Sequence, residues 1–218
     1  MSDGDTYRRA REAMVDRLVT TGRIERDTTV EAMRAVPRHA FVPEARRSAA
    51  YQDRPLPIGR GQTISAPHMV ATMVDLLALE SDDRVLEIGT GCGYHAAVTA
   101  EVVGASNVYS IEVSPPLAEE ARERLTTLGY GDISIALGDG SEGWPEEAPF
   151  DAIYLTCATP SIPDALLEQV RPGGRLLAPV GSYRQELVRI TIDTDGTCHR
   201  EHHGGVRFVP MRDRPPEG

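Results

Sequence analysis

Three glycines and three carboxylates carry the chemistry that can be read from this chain. Gly89, Gly91 and Gly93 fall in VLEIGTGCGYHAA, directly after an apolar run, and Glu87 stands two positions before the first of them. Glu112 closes a second apolar run, 19 positions beyond Gly93, and Asp139 follows a third in LGDG. Glycines in such a turn let the backbone bend sharply and let a ligand lie against main-chain atoms, where open α/β sheets bind ligands at the carboxyl ends of their strands. Thr90 and Gly140 belong to the same two turns. A carboxylate at the end of the second strand suits the hydroxyls of a ribose. An acid beside the glycines repels a pyrophosphate and suits an ammonium group, and an acid after the third strand can accept from an adenine amino group.

A ligand with a ribose, an adenine and an ammonium but no phosphate is S-adenosyl-L-methionine, and this is the cofactor that the residues favour. A nicotinamide dinucleotide is the rival, because the spacing from Gly91 to Ala96 also satisfies the dinucleotide fingerprint. Glu87 speaks against it, as does a second half that ends in a hairpin instead of a second mononucleotide unit. Each acid also has a plainer reading: Glu87 as an acid near a helix N-terminus, Glu112 as a solvated strand end, Asp139 as an Asx-turn residue. Their recurrence at the ends of successive strands favours the cofactor.

These residues need a scaffold. With 218 residues and 40% hydrophobic content, the chain can bury one sizeable core and is expected to form a single domain. Strands are expected at 84–88, 107–113, 132–137, 151–156 and 175–180, with helical patterns at 95–103, 116–128 and 163–170 between them. This alternation is the mark of a mostly parallel sheet covered on both faces, a Rossmann-like α/β fold. Residues 186–194 and 197–210 flank Asp195-Gly196, a two-residue turn signal, so an antiparallel hairpin should follow. Ahead of the sheet, helices are expected at 6–21, ending on Gly22, and from an Asp27 N-cap to a stop before Pro37. Residues 41–64 read as an ordered but irregular loop region. A helix should begin with Ser65 as N-cap and Pro67 in its first turn. The expected division is thus 1–64 for N-terminal helices and a substrate loop, 65–181 for the cofactor-binding core, 182–212 for the hairpin and 213–218 for a disordered DRPPEG tail.

Composition narrows the function. All 23 basic residues are Arg, set against 33 acidic residues for a net charge of −10, which is unsuited to a phosphate-tracking groove for nucleic acid and is consistent with adaptation to salt. Cys92, Cys157 and Cys198 are odd in number and far apart, so neither a disulfide framework nor a zinc ribbon is indicated, and a reducing cytoplasm is expected. No apolar run approaches a membrane span, and the N-terminus lacks the apolar segment of a signal peptide. CHREHH at 198–203 invites a metal reading, but it follows a hairpin turn; no metal site is expected.

Larger blocks are specific. EIGTGCGY, YSIEVS, LGDGSEGWPEEAPFDAIYLT, RPGGRLLAPVG and above all LPIGRGQTISAPHMV resemble the protein-L-isoaspartate O-methyltransferase family, in order and at matching spacing, over most of the chain from Val36 to VRFVPM at Val206. The resemblance implies a class I methyltransferase fold and methyl transfer from S-adenosyl-L-methionine to the carboxylate of L-isoaspartyl residues in aged proteins; the charge and hydropathy above lead us to expect no nucleic acid or membrane partner, and a monomer is expected. It implies Ser65 as the active-site residue, with Thr63 and Ile64 beside it and Val209 contacting the substrate. A carboxylate is ionised at neutral pH, so transfer to it needs positioning and exclusion of water more than a base, and an uncharged Gly-Gln-Thr-Ile-Ser strip suits that task. Cys92, Cys157 and Thr159 stand where the family more often has small residues such as Ser or Ala. A methyltransferase acting on another substrate such as tRNA, and a non-catalytic cofactor-binding adaptor, are the alternatives; the acidic charge and the GQTIS strip count against the first, and the intact site residues against the second.

Overall fold

The computed structural model describes residues 3–212; the DRPPEG tail lies outside the described residues. Two helices come first, α1 (Asp3–Thr20) and α2 (Asp27–Ala35). The Gly22 amide donates to the Val19 carbonyl and the Arg23 amide to that of Leu18, a Schellman closure of α1 where the sequence predicts a stop. Asp27 is not the N-cap of α2 but its first helical residue, with Arg26 in the capping place. The chain is held just ahead of the helix from a distance: the Asp75 carboxylate accepts from the backbone amides of Glu25 and Arg26 at 3.0 and 3.1 Å.

The segment 41–64 is ordered as expected, but it carries more regular structure than the loop that the sequence suggests. Two short 3-10 turns (Arg38–Phe41 and Glu44–Ala49) lead to an antiparallel hairpin, β1 (Leu56–Gly59) and β2 (Gln62–Ile64). Arg60 and Gly61 turn the chain with φ of 51° and 71°, the left-handed pair that suits a tight hairpin. Leu56 pairs with Ile64 and both are buried, which pins the hairpin to the core. Strands this short leave no alternation to read.

Helix α3 (Pro67–Leu77) follows, with Pro67 at its first position as expected. Its N-cap is Ala66, not Ser65, so the Ser65 hydroxyl is not used in capping. Val70, Met73, Val74 and Leu77 are buried along one face, each contributing roughly 1.5–3 kcal/mol by leaving water. Guanidinium groups hold the other end: Arg175 donates to the Ala78 carbonyl at 2.8 Å and pairs with Asp83, and Arg189 donates to the Leu76 carbonyl at 3.0 Å.

From there the predicted alternation appears as β3 (Val85–Ile88), α4 (Tyr94–Val103), β4 (Val108–Glu112), α5 (Pro115–Thr127), β5 (Ser134–Leu137), β6 (Phe150–Leu155), α6 (Asp164–Glu168) and β7 (Val170–Val180). The last helix is shorter than expected and β7 starts earlier, with an irregular register against β6. β8 (Gln185–Ile192) and β9 (Cys198–Val206) close the sheet antiparallel. Their connection has a three-residue loop, not two: the Asp193 amide donates to Thr197 and the Gly196 amide to Asp193, with Gly196 at φ 87°. The order is β5-β4-β3-β6-β7-β8-β9, with the first five strands parallel.

β3 and β4 are buried along their whole length, as central parallel strands must be. Val85, Val108 and Ala152 face the N-terminal helices and α4, while Leu86, Ile111 and Ile153 face the opposite core with α6. By alternation Glu87, Ser110 and Tyr154 therefore point toward α4. Arg38 is wholly buried; it donates to the Ala50 carbonyl at 2.8 Å and lies 4.9 Å over the Tyr94 ring, joining the N-terminal layer to α4.

Candidate active site

The chain leaves β3 through α4 to reach β4 on one side, and later places β6 on the other. The carboxyl end of β3 is thus the switch point of the sheet, where a crevice opens. Glu87, Gly89, Thr90 and Gly91 line this cleft from β3 and its exit loop, Glu112 from β4, and Gly140 from the turn after β5. Thr63, Ile64 and Ser65 line it from β2, and Val209 from the C-terminal strip. Ten of the twelve candidate residues therefore meet around one space. The other two serve beside it. Gly93 begins α4 with φ 85°, and Leu125 approaches to 3.0 Å of where its Cβ would stand. The Asp139 carboxylate accepts from the backbone and hydroxyl of Ser141 at 2.8 and 2.7 Å, an Asx turn that holds Gly140 against Ile88.

Glu87 lies on the strand, not in the loop, and is completely buried. In register, Ser110 is its partner on β4 and Tyr154 its partner on β6. The Ser110 hydroxyl donates to one carboxylate oxygen at 2.6 Å and the Tyr154 hydroxyl to the other at 3.0 Å. Thr90 meets Ser110 at 2.6 Å and Thr99 meets Tyr154 at 3.0 Å, so a polar chain crosses three strands below the cleft. No Arg or His pairs with Glu87 among the described residues. Burial, opposed by the two hydroxyl donors and reinforced by the charge of Glu112, pushes its pKa up to about 8. A cation entering the cleft would hold it ionised.

Glu112 works on the loop itself. One oxygen accepts from the Gly91 amide at 2.8 Å and the other from the Ser114 amide at 3.0 Å, leaving lone pairs for a ligand hydroxyl. The β1–β2 hairpin lies over the same loop: the Ile58 Cδ1 is 3.6 Å from where a Gly91 Cβ would stand, and Arg60 reaches Glu120 of α5 at 3.7 Å.

Ser65 is half-buried at the exit of β2, and its hydroxyl makes no hydrogen bond among the described residues. Opposite it, the strip after β9 is fixed by main-chain bonds, Ala158 to the Val209 carbonyl at 2.8 Å and Met211 to the Ala158 carbonyl at 2.7 Å. The Gln185 amide brackets Phe208 from both sides at 2.6 and 3.1 Å. This ordering brings Arg212 to the rim of the cleft, a cation that the sequence reading does not place there. His95 also lines the cleft; its buried Nε2 has no partner, and burial depresses its pKa to about 3, so the ring stays neutral. Thr156, which follows β6, is a further lining residue whose place at a strand's carboxyl end is the signal that could have found it.

Burial raises the Cys92 thiol and pushes that of Cys157 up to about 12, so both are protonated and unreactive at neutral pH. His68 meets Asp53 and His39 meets Tyr51, each at 2.8 Å. In CHREHH, His199 pairs with Asp193 and His202 with Glu186, again at 2.8 Å. All four histidines are thus held by hydrogen bonds, His39 against the buried Tyr51 and the others at the surface.

The family model for protein-L-isoaspartate(D-aspartate) O-methyltransferase matches residues 9–215. Protein-L-isoaspartate O-methyltransferase 2 of Archaeoglobus fulgidus is 53% identical over 207 residues, covering 94% of each chain. The protein-L-isoaspartate O-methyltransferase of Methanopyrus kandleri is 50% identical over 212 residues, covering 96% of this chain and 94% of its own. Among solved structures, a putative enzyme of the same name from Plasmodium falciparum, in complex with S-adenosyl-L-homocysteine, superposes with a TM-score of 0.84 at 25% identity, covering 94% of this chain and 99% of that one.

Proposed function

This chain belongs to the protein-L-isoaspartate(D-aspartate) O-methyltransferase family, and we propose that the cleft above β3 is its active site, with Ser65 at the reacting carboxylate. The enzyme methylates the carboxylate of L-isoaspartyl residues in damaged proteins and peptides, using S-adenosyl-L-methionine. The ester so formed closes to a succinimide, whose hydrolysis returns part of the material to normal aspartate.

The residues present fit this cofactor. Glu87, a buried carboxylate that no cation of the described residues neutralises, would take the ammonium; Glu112 would accept from the ribose hydroxyls, and Asp139 with Gly140 would border the adenine. Gly89, Thr90, Gly91 and Gly93 form the turn that lets main-chain atoms face it. S-adenosyl-L-methionine supplies a methyl group on a positively charged sulfur, which needs no further activation.

What the chain must add is placement. The isoaspartyl carboxylate arrives ionised, so no base is required. Ser65 would donate one hydrogen bond that fixes the carboxylate without neutralising it. Ile64, buried behind it, excludes water, and Thr63 and Val209 border the peptide on either side. Because the cleft is assembled from one chain, we place the working unit at a single-domain monomer. Three free cysteines suit the cytoplasm, and no helix among the described residues is long and apolar enough to cross a membrane.

The observation that carries this reading is the Ser65 hydroxyl, unused by the fold and opening on the same cleft as Glu87 and Glu112. In Ser65→Ala, kcat should fall by about 10- to 100-fold, the range of one lost donor, while cofactor affinity is unchanged. An unaltered kcat on an isoaspartyl peptide would remove Ser65 from the site.

A further inference from the structure

The first 60 residues run against the charge of the rest: they hold twelve of the 23 arginines but only nine of the 33 acidic residues. Part of this excess lines an open groove of about 820 Å³ between α1 and the segment 47–53, bordered by Tyr7, Arg17, Arg47, Tyr51, Gln52 and Asp53. Its floor is stiff. Tyr7 stacks on His39 with ring centres 4.1 Å apart and planes 13° from parallel, and His39 Nδ1 meets the Tyr51 hydroxyl at 2.8 Å. Neither Arg17 nor Arg47 forms an ion pair among the described residues, although other exposed arginines do, such as Arg34 with Asp16 and Arg122 with Glu119.

The groove begins beside the active site. Asp53 at its end accepts from the backbone and ring of His68 at 2.9 and 2.8 Å, and His68 is three residues beyond Ser65. That separation spans at most about 10 Å of chain. From Thr6 to Arg17 the groove follows α1 for about 16 Å, at 1.5 Å per residue, enough for roughly five residues of extended peptide.

Resting on the repair activity above, we propose that this groove is a second docking track for the substrate protein, which takes an extended acidic segment about three to eight residues from the isoaspartate. Arg17 and Arg47 supply the charge at its two ends, and the tyrosines supply flat walls that tolerate varied side chains. The enzyme would then read the damaged carboxylate in the cleft and an acidic flank in the groove, which gives net preference without reading a fixed sequence.

The test uses isoaspartyl peptides with three Glu, or three Gln, placed three to eight residues away on the N-terminal or the C-terminal side. On one side the Glu peptide should show a KM about tenfold below its Gln counterpart at equal kcat, and salt should close the gap. Arg17→Gln/Arg47→Gln should abolish the difference while leaving kcat and the KM of the Gln peptides unchanged, which also reports that the variant is folded. Polyglutamate should compete with the Glu peptide. Equal KM values for Glu and Gln peptides on both sides would overturn the proposal, as would competition by single-stranded RNA but not by polyglutamate. If no isoaspartyl peptide is methylated at all, the assignment of the activity fails instead.

Discussion

Gly89→Ala should lower the melting temperature by roughly 5–12 °C and weaken cofactor binding by about 100-fold or more. Gly89 has φ of 100°, a region that costs an L side chain of the order of 1–2 kcal/mol. An added Cβ would also stand 2.4 Å from the Thr156 Oγ1, which itself donates to the Gly89 and Ile88 carbonyls at 2.6 and 3.1 Å. Strain and a broken tie between β3 and β6 together amount to roughly 2–4 kcal/mol, and a domain of this size loses about 2–4 °C per kcal/mol. The loop displaced is the one proposed to face the ligand, hence the expected loss of affinity. Two comparisons separate the causes. Gly129→Ala, at φ 89° with nothing within 4 Å of its Cβ, should cost only the backbone penalty and leave binding intact. Adding Thr156→Ala to Gly89→Ala should recover part of the stability. Calorimetric melting and titration with S-adenosylhomocysteine measure both effects; undiminished affinity in Gly89→Ala would contradict the placement of the loop.

Glu87→Gln should weaken binding of the same ligand by about 30- to 100-fold at pH 8 and remove most of its pH dependence. In the folded protein the Glu87 pKa is raised from 4.5 to about 8, chiefly by burial, so the group is protonated at neutral pH. Between pH 4.5 and 8 the native state holds a proton that the unfolded chain has lost; stability therefore falls as pH rises through that window, and the glutamine variant lacks the decline. Ligand binding runs the other way. An ammonium group needs the ionised carboxylate, so wild-type affinity should fall roughly tenfold for each unit below pH 8, with about one proton released on binding at pH 6.5. Titration in buffers of different ionisation enthalpy measures that proton. Wild-type affinity flat from pH 6 to 8, or the same slope in Glu87→Gln, would contradict a cation beside Glu87.

The parallel core was legible because β3, β4 and β6 are short apolar runs, because the helices α4 and α5 that follow β3 and β4 end at Gly104 and Gly129, and because the acids fall near the ends of those runs. What escaped the sequence is held by contacts between distant residues. The β1–β2 hairpin depends on Leu56 and Ile64 meeting the core and on Arg60 accepting a left-handed turn, none of which leaves a periodic trace. The chain entering α2 is held at Glu25 and Arg26 by Asp75, some fifty residues away, and the helix begins at Asp27 itself, the residue that the local signal marks as its cap. For the site, Glu87 was visible, but its partners Ser110 and Tyr154 are fixed by register across three strands and read singly as ordinary strand residues. Arg212 reaches the rim only because Ala158 and Gln185 hold the strip before it.

The central claim is tested most directly with labelled S-adenosyl-L-methionine and paired peptides that differ only in L-isoaspartate or L-aspartate at one position, at low and at high salt. Label should enter the isoaspartyl peptide alone and leave as methanol in base, the behaviour of a methyl ester. Label in both peptides alike, or in neither while the cofactor binds, would contradict the account.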